Sequence, residues 1–291
     1  MSSTEGEGLA RSVHQRLLHI ARDQAVDFNS LLVQYVMERA LYRLSRSPHA
    51  SDFVLKGALL FRVWDGDLRR PTMDIDLLGR GDPAVERMGS VFRDVLSSTD
   101  AADGVVFDVE QLDAAEIRGA QEYGGVRVRC VACIGTARIR TQIDVGFGDA
   151  VTPGPIVAVV PGLLDFPTAT LATYPPETVI AEKLEAIVRL GLANSRMKDF
   201  YDLHVLSNRM ASSSESIARA IHATFERRGT RLPNEAPVGL TPAFTADAEK
   251  AKQWLAFKSR MGIGSDALSL EEVGRVLAAF MGPLLGRARQ L

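Results

Sequence analysis

The chain has 291 residues, of which 46% are hydrophobic and 24% are charged, and its formal net charge is −2. Enough apolar residues are present to bury one large core or two smaller ones, which excludes a chain that is mainly disordered. No apolar run approaches the span of a bilayer and the acidic N-terminus carries no apolar segment, so we expect a cytoplasmic protein without membrane association.

The charge is unevenly distributed along the chain. Residues 1–165 carry a net charge of −5, whereas residues 166–291 carry +3. An acidic part can hold cations and a mildly basic part can hold a polyanion, and the two together suit an enzyme of phosphoryl transfer. The small total charge gives no sign of a generally basic nucleic-acid-binding protein.

The first elements in chain order are predicted to be helices. Apolar residues recur at helical spacing over residues 9–46, where Asn29-Ser30 can cap a second helix. A strand from Phe53, a turn at Gly57, a short helix and a strand over Met73–Leu78 follow. Two further elements are predicted, a helix over 81–98 and a strand over 105–112.

A hairpin is the next predicted element. Gly125–Ile134 and Ala137–Phe147 alternate apolar and polar residues on either side of Gly135-Thr136. Cys130 and Cys133 lie on opposite faces of the first of these strands, and no second pair of cysteines exists. They are therefore predicted to be structural residues and not metal ligands.

The chain is predicted to change from sheet to helices near residue 165. Six prolines lie between residues 151 and 176 with glycines among them, which indicates a connecting region. Helices are predicted beyond it, over Glu177–Leu190, Lys198–Met210, Glu215–Arg228, Ala246–Arg260 and Ser269–Arg289. The predicted fold class is α+β, with a mixed sheet and helices over residues 1–165 and a helical domain over residues 166–291.

The chemistry of the chain is indicated first by Asp74 and Asp76. Residues two apart on a strand project from the same face. Two adjacent carboxylates repel unless a cation or a proton compensates them, and Mg²⁺ binds a few carboxylate oxygens together with water and substrate phosphates. The pair predicts a site for Mg²⁺ or Mn²⁺. The same pattern also occurs on solvated strand ends and in some glycosyltransferases.

A third carboxylate, Asp144, is predicted in the middle of a strand. Arg138, Arg140 and Gln142 share its face, while Ile143 faces the other way. Such an acidic residue lies either at an open surface or at a site. Three carboxylates from two strands can hold two metal ions roughly 4 Å apart, one activating the attacking oxygen and one holding the leaving phosphates.

Several residues near the acidic pair are candidates for phosphate binding. Lys56-Gly57-Ala58 is predicted at a strand-to-helix turn, where glycine lets the backbone approach a ligand and N–H groups can meet phosphate. Arg70 and Thr72 flank the acidic strand and could hold phosphate or orient an aspartate. An ordinary tight turn and a solvated turn are the simpler explanations of these residues.

The helical half contributes three more candidates. Lys183 falls within the apolar stripe of its helix, where it must either extend to water or meet an anion such as a triphosphate. Asp199 and Asp202 are predicted on one face of the next helix. A helix start, with Asp199 as the N-cap, is the alternative explanation of these two aspartates.

These residues resemble the AbiEii-type nucleotidyltransferase toxins of prokaryotic toxin–antitoxin and abortive-infection systems. Four blocks carry the resemblance and span about residues 53–206. They are Lys56-Gly57-Ala58-Leu59-Leu60, the stretch from Arg70 to Leu77, Ile143-Asp144-Val145-Gly146-Phe147-Gly148-Asp149, and Ala181-Glu182-Lys183-Leu184-Glu185-Ala186 followed by Ser195–Leu203.

The resemblance implies a nucleotidyltransferase fold similar to the polymerase-beta superfamily, followed by a helical domain that contributes Lys183 and Asp202 to the site. The residues implied as catalytic are Asp74, Asp76, Asp144, Lys183 and Asp202, the first three of them as metal ligands. Those expected to bind the nucleotide are Lys56, Gly57, Ala58, Arg70, Thr72, Lys183 and Asp199. One departure is that the Gly-Ser turn of the superfamily is Gly57-Ala58 here.

The resemblance also implies partners for the protein. It implies a nucleoside triphosphate as the donor and an RNA as the acceptor, which is expected to be the acceptor end of tRNA. It also implies a cognate antitoxin encoded beside the toxin. In the basic half, Arg227, Arg228 and Arg231 are predicted to hold the RNA. The alternatives are a small-molecule nucleotidyltransferase of the antibiotic-modifying kind and a non-enzymatic module whose carboxylates hold a structural cation.

Overall fold

The computed structural model describes residues 3–66, 70–99, 101–117, 124–210, 214–264 and 267–291. The chain divides into two compact units. The first consists of Met1–Gly148 and Ile156–Thr173, and the second consists of Asp149–Pro155 and Tyr174–Leu291.

The first unit is a mixed sheet with helices, as predicted. Its helices are α1 (Ser3–Asp23), α2 (Phe28–Arg46), α3 (Leu59–Asp65) and α4 (Val85–Ser97). Its strands are β1 (Phe53–Lys56), β2 (Asp74–Gly79), β3 (Val106–Glu116), β4 (Gly125–Ile134), β5 (Ala137–Phe147), β6 (Ile156–Val160) and β7 (Ala169–Thr173).

The seven strands are arranged in the order β3-β4-β5-β2-β1-β7-β6. Strand β2 pairs with β5 in parallel, and β1 pairs with β7 in parallel, whereas the other neighbours are antiparallel. Since β2 and β5 are separated in sequence by a helix and two strands, this parallel pair brings distant residues together at the centre of the sheet.

The predicted β4–β5 hairpin is confirmed, with Ile134 opposite Ala137 across the Gly135-Thr136 turn. On β5, the side chains of Ile139, Ile143 and Val145 are buried, while the alternate positions are more exposed. One face of the strand therefore packs against the core, as the alternating pattern predicts. The two cysteines of β4 are free thiols, and Cys130 is buried.

Strands β6 and β7 correct the sequence analysis, which assigned residues 151–176 to a connecting region. Prolines and glycines flank both strands and obscure their pattern, and each strand is only five residues long. Strand β7 lies beside β1 through the pairing of Thr173 with Leu55. The domain change predicted near residue 165 falls between these two strands, both of which belong to the first unit.

Helix α2 carries buried charges that hold two loops of the first unit. Arg43 donates to both carboxylate oxygens of Asp103, which lies in the loop before β3, at 2.8 and 3.1 Å. Glu38 accepts from the backbone N–H of Leu163, and Arg39 donates to the carbonyl of Pro167, both between β6 and β7. All three α2 side chains are nearly inaccessible to solvent. These ion pairs and hydrogen bonds therefore fix loops that neighbour the sheet.

The second unit is helical, as predicted. Its helices are α5 (Pro176–Leu190), α6 (Met197–Ser207), α7 (Ser214–Arg227), α8 (Pro242–Thr245), α9 (Ala248–Arg260) and α10 (Leu270–Ala288). Helix α10 begins at a capping box in which Ser269 and Glu272 satisfy each other's backbone N–H groups. None of the described helices combines the length and the apolarity that a membrane crossing needs.

The buried Arg43–Asp103 pair predicts a large loss of stability on substitution. Asp103→Ala would leave the Arg43 guanidinium buried without its counter-charge, which should cost about 3–5 kcal/mol in the free energy of unfolding measured with urea. Asp165→Ala is the matched control, since Asp165 is 82% exposed and its ion pair with Arg16 is worth less than about 1 kcal/mol. Equal losses in the two variants would contradict the role given to the buried pair.

Candidate active site

The centre of the sheet brings together the three carboxylates that the sequence analysis singled out. Asp76 of β2 lies directly opposite Asp144 of β5, and Asp74 lies opposite Gln142. Asp74, Asp76 and Asp144 are half-buried, and each offers an oxygen within 4.8 Å of the others. We call these three residues the acidic triad. Its oxygens are close enough to share one divalent cation.

The turn before β2 orients the first member of the triad. The hydroxyl of Thr72 donates to Oδ1 of Asp74 at 2.7 Å, so this residue holds an aspartate, one of the two roles considered for it. Both Arg70 and Thr72 are only 9% exposed, which argues against a simple solvated turn.

Gly57 approaches Asp76 so closely that a side chain at this position would collide with the aspartate. Its φ of +79° lies in the left-handed region. A Cβ atom built on Gly57 would lie 2.0 Å from Oδ2 and 2.8 Å from Cβ of Asp76. The sequence analysis expected this glycine to admit a ligand. In the structure, its missing side chain makes room for a member of the triad.

Arg127 completes this part of the site, and the sequence analysis did not single it out. Its Nε and Nη2 donate to Oδ1 and Oδ2 of Asp144, at 2.8 and 2.6 Å. The hydrogen bonds with Asp144 raise the pKa of Arg127, and the charges of all three triad carboxylates act in the same direction. The sequence could have identified Arg127, because a two-residue turn at Gly135-Thr136 places it opposite Asp144.

In the helical unit, the structure brings together Lys183, Asp199 and Asp202. The Lys183 amine lies 2.8 Å from Asp199 Oδ1 and 2.8 Å from Asp202 Oδ2. The two carboxylates are 0% and 1% exposed, and the lysine side chain is 14% exposed. Lys183 therefore does not extend to water past its apolar neighbours, which was the simpler of the two explanations. It meets anions that belong to the protein itself.

Asp199 is not the N-cap of α6, which corrects the alternative explanation of this residue. The N-cap position is occupied by Arg196, whose Nε donates to Asp199 Oδ2 at 2.6 Å. Burial alone would raise the pKa of Asp199, but Lys183 and Arg196 lower it to about 2. The ionised carboxylate thus stabilises the fold above its unfolded pKa of about 4, and this contribution is lost as the pH falls toward 2.

Arg228, a predicted RNA contact, pairs with carboxylates of the protein itself. Its guanidinium pairs with Asp149, Glu182 and Glu185 at 2.9–3.2 Å, and its side chain is 15% exposed. Burial would lower the pKa of Arg228, but these carboxylates raise it above the usual range. These carboxylates account for the charge of Arg228 within the helical unit, so Arg228 is a weaker candidate for an RNA contact than its exposed neighbours. Arg227 and Arg231 are exposed.

Two solved structures from Helicobacter pylori are similar to this chain. The crystal structure of JHP933 has 16% identity and a TM-score of 0.51, over 90% of this chain and 94% of that one. A protein described as a candidate nucleotidyltransferase has 15% identity and a TM-score of 0.52, over 91% of this chain and 98% of that one. At these identities the likeness is one of fold. No curated protein sequence matches the chain.

The class of the protein is shown by its family, and the chain is a nucleotidyltransferase. The family model described as the nucleotidyl transferase AbiEii toxin of type IV toxin–antitoxin systems matches residues 39–279. The chain therefore belongs to the AbiEii nucleotidyl transferase toxin family, and the resemblance drawn from its motifs is confirmed.

The contact between Gly57 and Asp76 predicts the effect of adding one methyl group. Gly57→Ala should displace the Asp76 side chain and weaken Mn²⁺ binding and nucleotide transfer by about tenfold or more. Gly66→Ala is the matched control, because Gly66 has a similar φ of +76° but no atom within 4 Å of the added Cβ. Both variants carry a strain of about 1–2 kcal/mol, so a comparable loss of Mn²⁺ affinity in both would refute the steric argument.

The Lys183 cluster predicts that this lysine also stabilises the helical unit. Lys183→Met removes the amine that compensates two buried carboxylates, and we expect a loss of about 3–5 kcal/mol in the free energy of unfolding. Lys198→Met, at an exposed position next to Asp199, should change it by no more than about 0.5 kcal/mol. Urea titrations of the two variants check this, and an unchanged midpoint for Lys183→Met would show that the cluster is not held by the lysine.

Proposed function

We propose that this toxin is a metal-dependent enzyme that transfers nucleotides from a nucleoside triphosphate to RNA, with the acceptor end of tRNA as the expected target. The observation that carries the proposal is the acidic triad on the parallel strands β2 and β5. A nucleotide substrate and a cognate antitoxin follow from the family.

The residues of the triad fit a hard divalent cation. Carboxylate oxygens are the ligands that Mg²⁺ and Mn²⁺ prefer, and Asp74, Asp76 and Asp144 would hold the ion. When bound, the ion would supply positive charge that offsets the charge of the triphosphate and of the leaving phosphates. Two neighbouring residues support the assignment of a cation site to the triad. Thr72 orients Asp74, and Gly57 leaves space for Asp76.

The residues proposed to bind the nucleotide are those expected from the sequence and the family. They are Lys56, Gly57, Ala58, Arg70, Thr72, Lys183 and Asp199, and Asp202 is proposed as a catalytic residue. The Lys183 amine is held by two buried carboxylates, so its position is fixed before any substrate arrives. For the RNA acceptor, the exposed Arg227 and Arg231 remain the candidates of the basic half.

Two other functions are distinguished from this one by their products. A small-molecule nucleotidyltransferase would transfer label from the triphosphate to a small acceptor, whereas a cation-holding module would transfer none. Incubation of the protein with each labelled triphosphate, Mg²⁺ and total RNA therefore separates the three functions. Labelled RNA supports the proposal, and label found only in small molecules would show that the acceptor is not RNA.

Removal of a triad carboxylate should abolish transfer while the fold is retained. Asp76→Ala takes away a metal ligand and also relieves repulsion within the triad, so the fold should be retained without metal. Asp113→Ala is the matched control, because Asp113 is an aspartate of the same sheet, on the edge strand β3, with 65% exposure. Near-wild-type transfer by Asp76→Ala at saturating triphosphate and Mg²⁺ would eliminate the metal assignment.

A further inference from the structure

Four charged side chains form a row across the centre of the sheet. Lys56 of β1 lies opposite Asp76 of β2, Asp76 lies opposite Asp144 of β5, and Asp144 lies opposite Arg127 of β4. Residues directly opposite each other in neighbouring strands project from the same face. The row therefore has the sign pattern plus, minus, minus, plus, with the two carboxylates adjacent at its centre.

Arg127 holds Asp144 in a fixed orientation. Its planar guanidinium contacts both carboxylate oxygens, at 2.8 and 2.6 Å, which is the paired geometry that arginine provides and lysine does not. The Asp144 side chain is 16% exposed and that of Arg127 is 32% exposed, so water competes with the pair only in part. Without this contact, repulsion from Asp76 would favour rotamers that turn the Asp144 carboxylate away.

The contact with Arg127 leaves Asp144 able to bind a cation. An ionised carboxylate has about four lone-pair positions, and the guanidinium takes one on each oxygen. Oδ2 also accepts from Gln142 at 3.4 Å, so Oδ1 has fewer donors among the described residues. The arrangement resembles the outer hydrogen bonds that orient metal ligands in other proteins, where removing the outer partner weakens metal affinity about 10- to 100-fold.

We infer that Arg127 is a positioning residue that fixes Asp144 for metal binding, an inference that rests on the proposed function. The opposing idea is that Arg127 masks Asp144 and competes with the metal through its positive charge. Positioning depends on the two-pronged geometry of the guanidinium, whereas masking depends only on charge. Lysine at this position separates the two, because it keeps the charge and loses the geometry.

The test measures Mn²⁺ affinity by electron paramagnetic resonance on the full chain after removal of metal with a chelator. Positioning predicts that Arg127→Lys and Arg127→Gln both weaken Mn²⁺ binding about 10- to 100-fold. Unchanged affinity in Arg127→Lys, or tighter binding in Arg127→Gln, would overturn the inference. Arg129→Lys is the matched control, since Arg129 lies on the same face of β4, is 53% exposed and pairs with Asp113. The Mn²⁺ affinity of this variant should stay within about twofold of that of the wild type.

A double-mutant cycle tests whether Arg127 acts through Asp144. In an Asp144→Asn background, Arg127→Lys should weaken Mn²⁺ binding by no more than about twofold, and a full additional loss would contradict the inference. Asp74→Ala distinguishes a failure of the proposed metal site from a failure of the positioning role of Arg127. If it leaves Mn²⁺ binding intact, the metal site of the proposed function is wrong. If it abolishes binding while Arg127→Lys changes nothing, only the positioning role is wrong.

Discussion

Repulsion between Asp76 and Asp144 is the constraint on which the site depends. The parallel pairing of β2 with β5 places these carboxylates directly opposite each other, and Asp74 adds a third negative charge nearby. A fold that merely minimised its own free energy would not place three carboxylates there. The surrounding residues reduce this cost, because Arg127 pairs with Asp144, Thr72 donates to Asp74 and Gly57 gives Asp76 its space.

Buried charge has a different purpose elsewhere in the molecule. In the first unit, the charged residues of α2 hold the loops before β3 and β7. In the second unit, Arg228 joins α5 to the segment that contains Asp149, while Lys183 joins α5 to α6. Each of these groups meets counter-charges within its own unit, so the ion pairs favour one packing arrangement over others that would leave a charge buried and unpaired.

Much of this structure was predictable because the sequence patterns are local. Alternation over residues 125–147 identified the hairpin, and spacing of two placed Asp74 and Asp76 on one face. Strands β6 and β7 were missed because prolines surround two five-residue segments that show too little periodicity. The parallel partner of β2 could not be read from local patterns, since pairing between distant strands is set by the whole sheet.

The side-chain partners were less predictable than the elements. Arg228 resembled a surface charge in the sequence because Asp149 and Glu182 are distant along the chain. Asp199 resembled an N-cap because its burial cannot be read from sequence. Arg127 differs from both, since a predicted two-residue turn already fixed its position opposite Asp144, and the hairpin register could have identified it.

The strand order also has a consequence for how the chain folds during synthesis. Strand β1 ends at Lys56, but its parallel neighbour β7 ends at Thr173, so more than a hundred residues are made before β1 can pair on that side. Contacts between such distant residues slow folding, because the intervening loop must close before they form. On the ribosome, a nascent chain therefore passes through a long interval in which the strand beside the acidic triad has an unpaired edge.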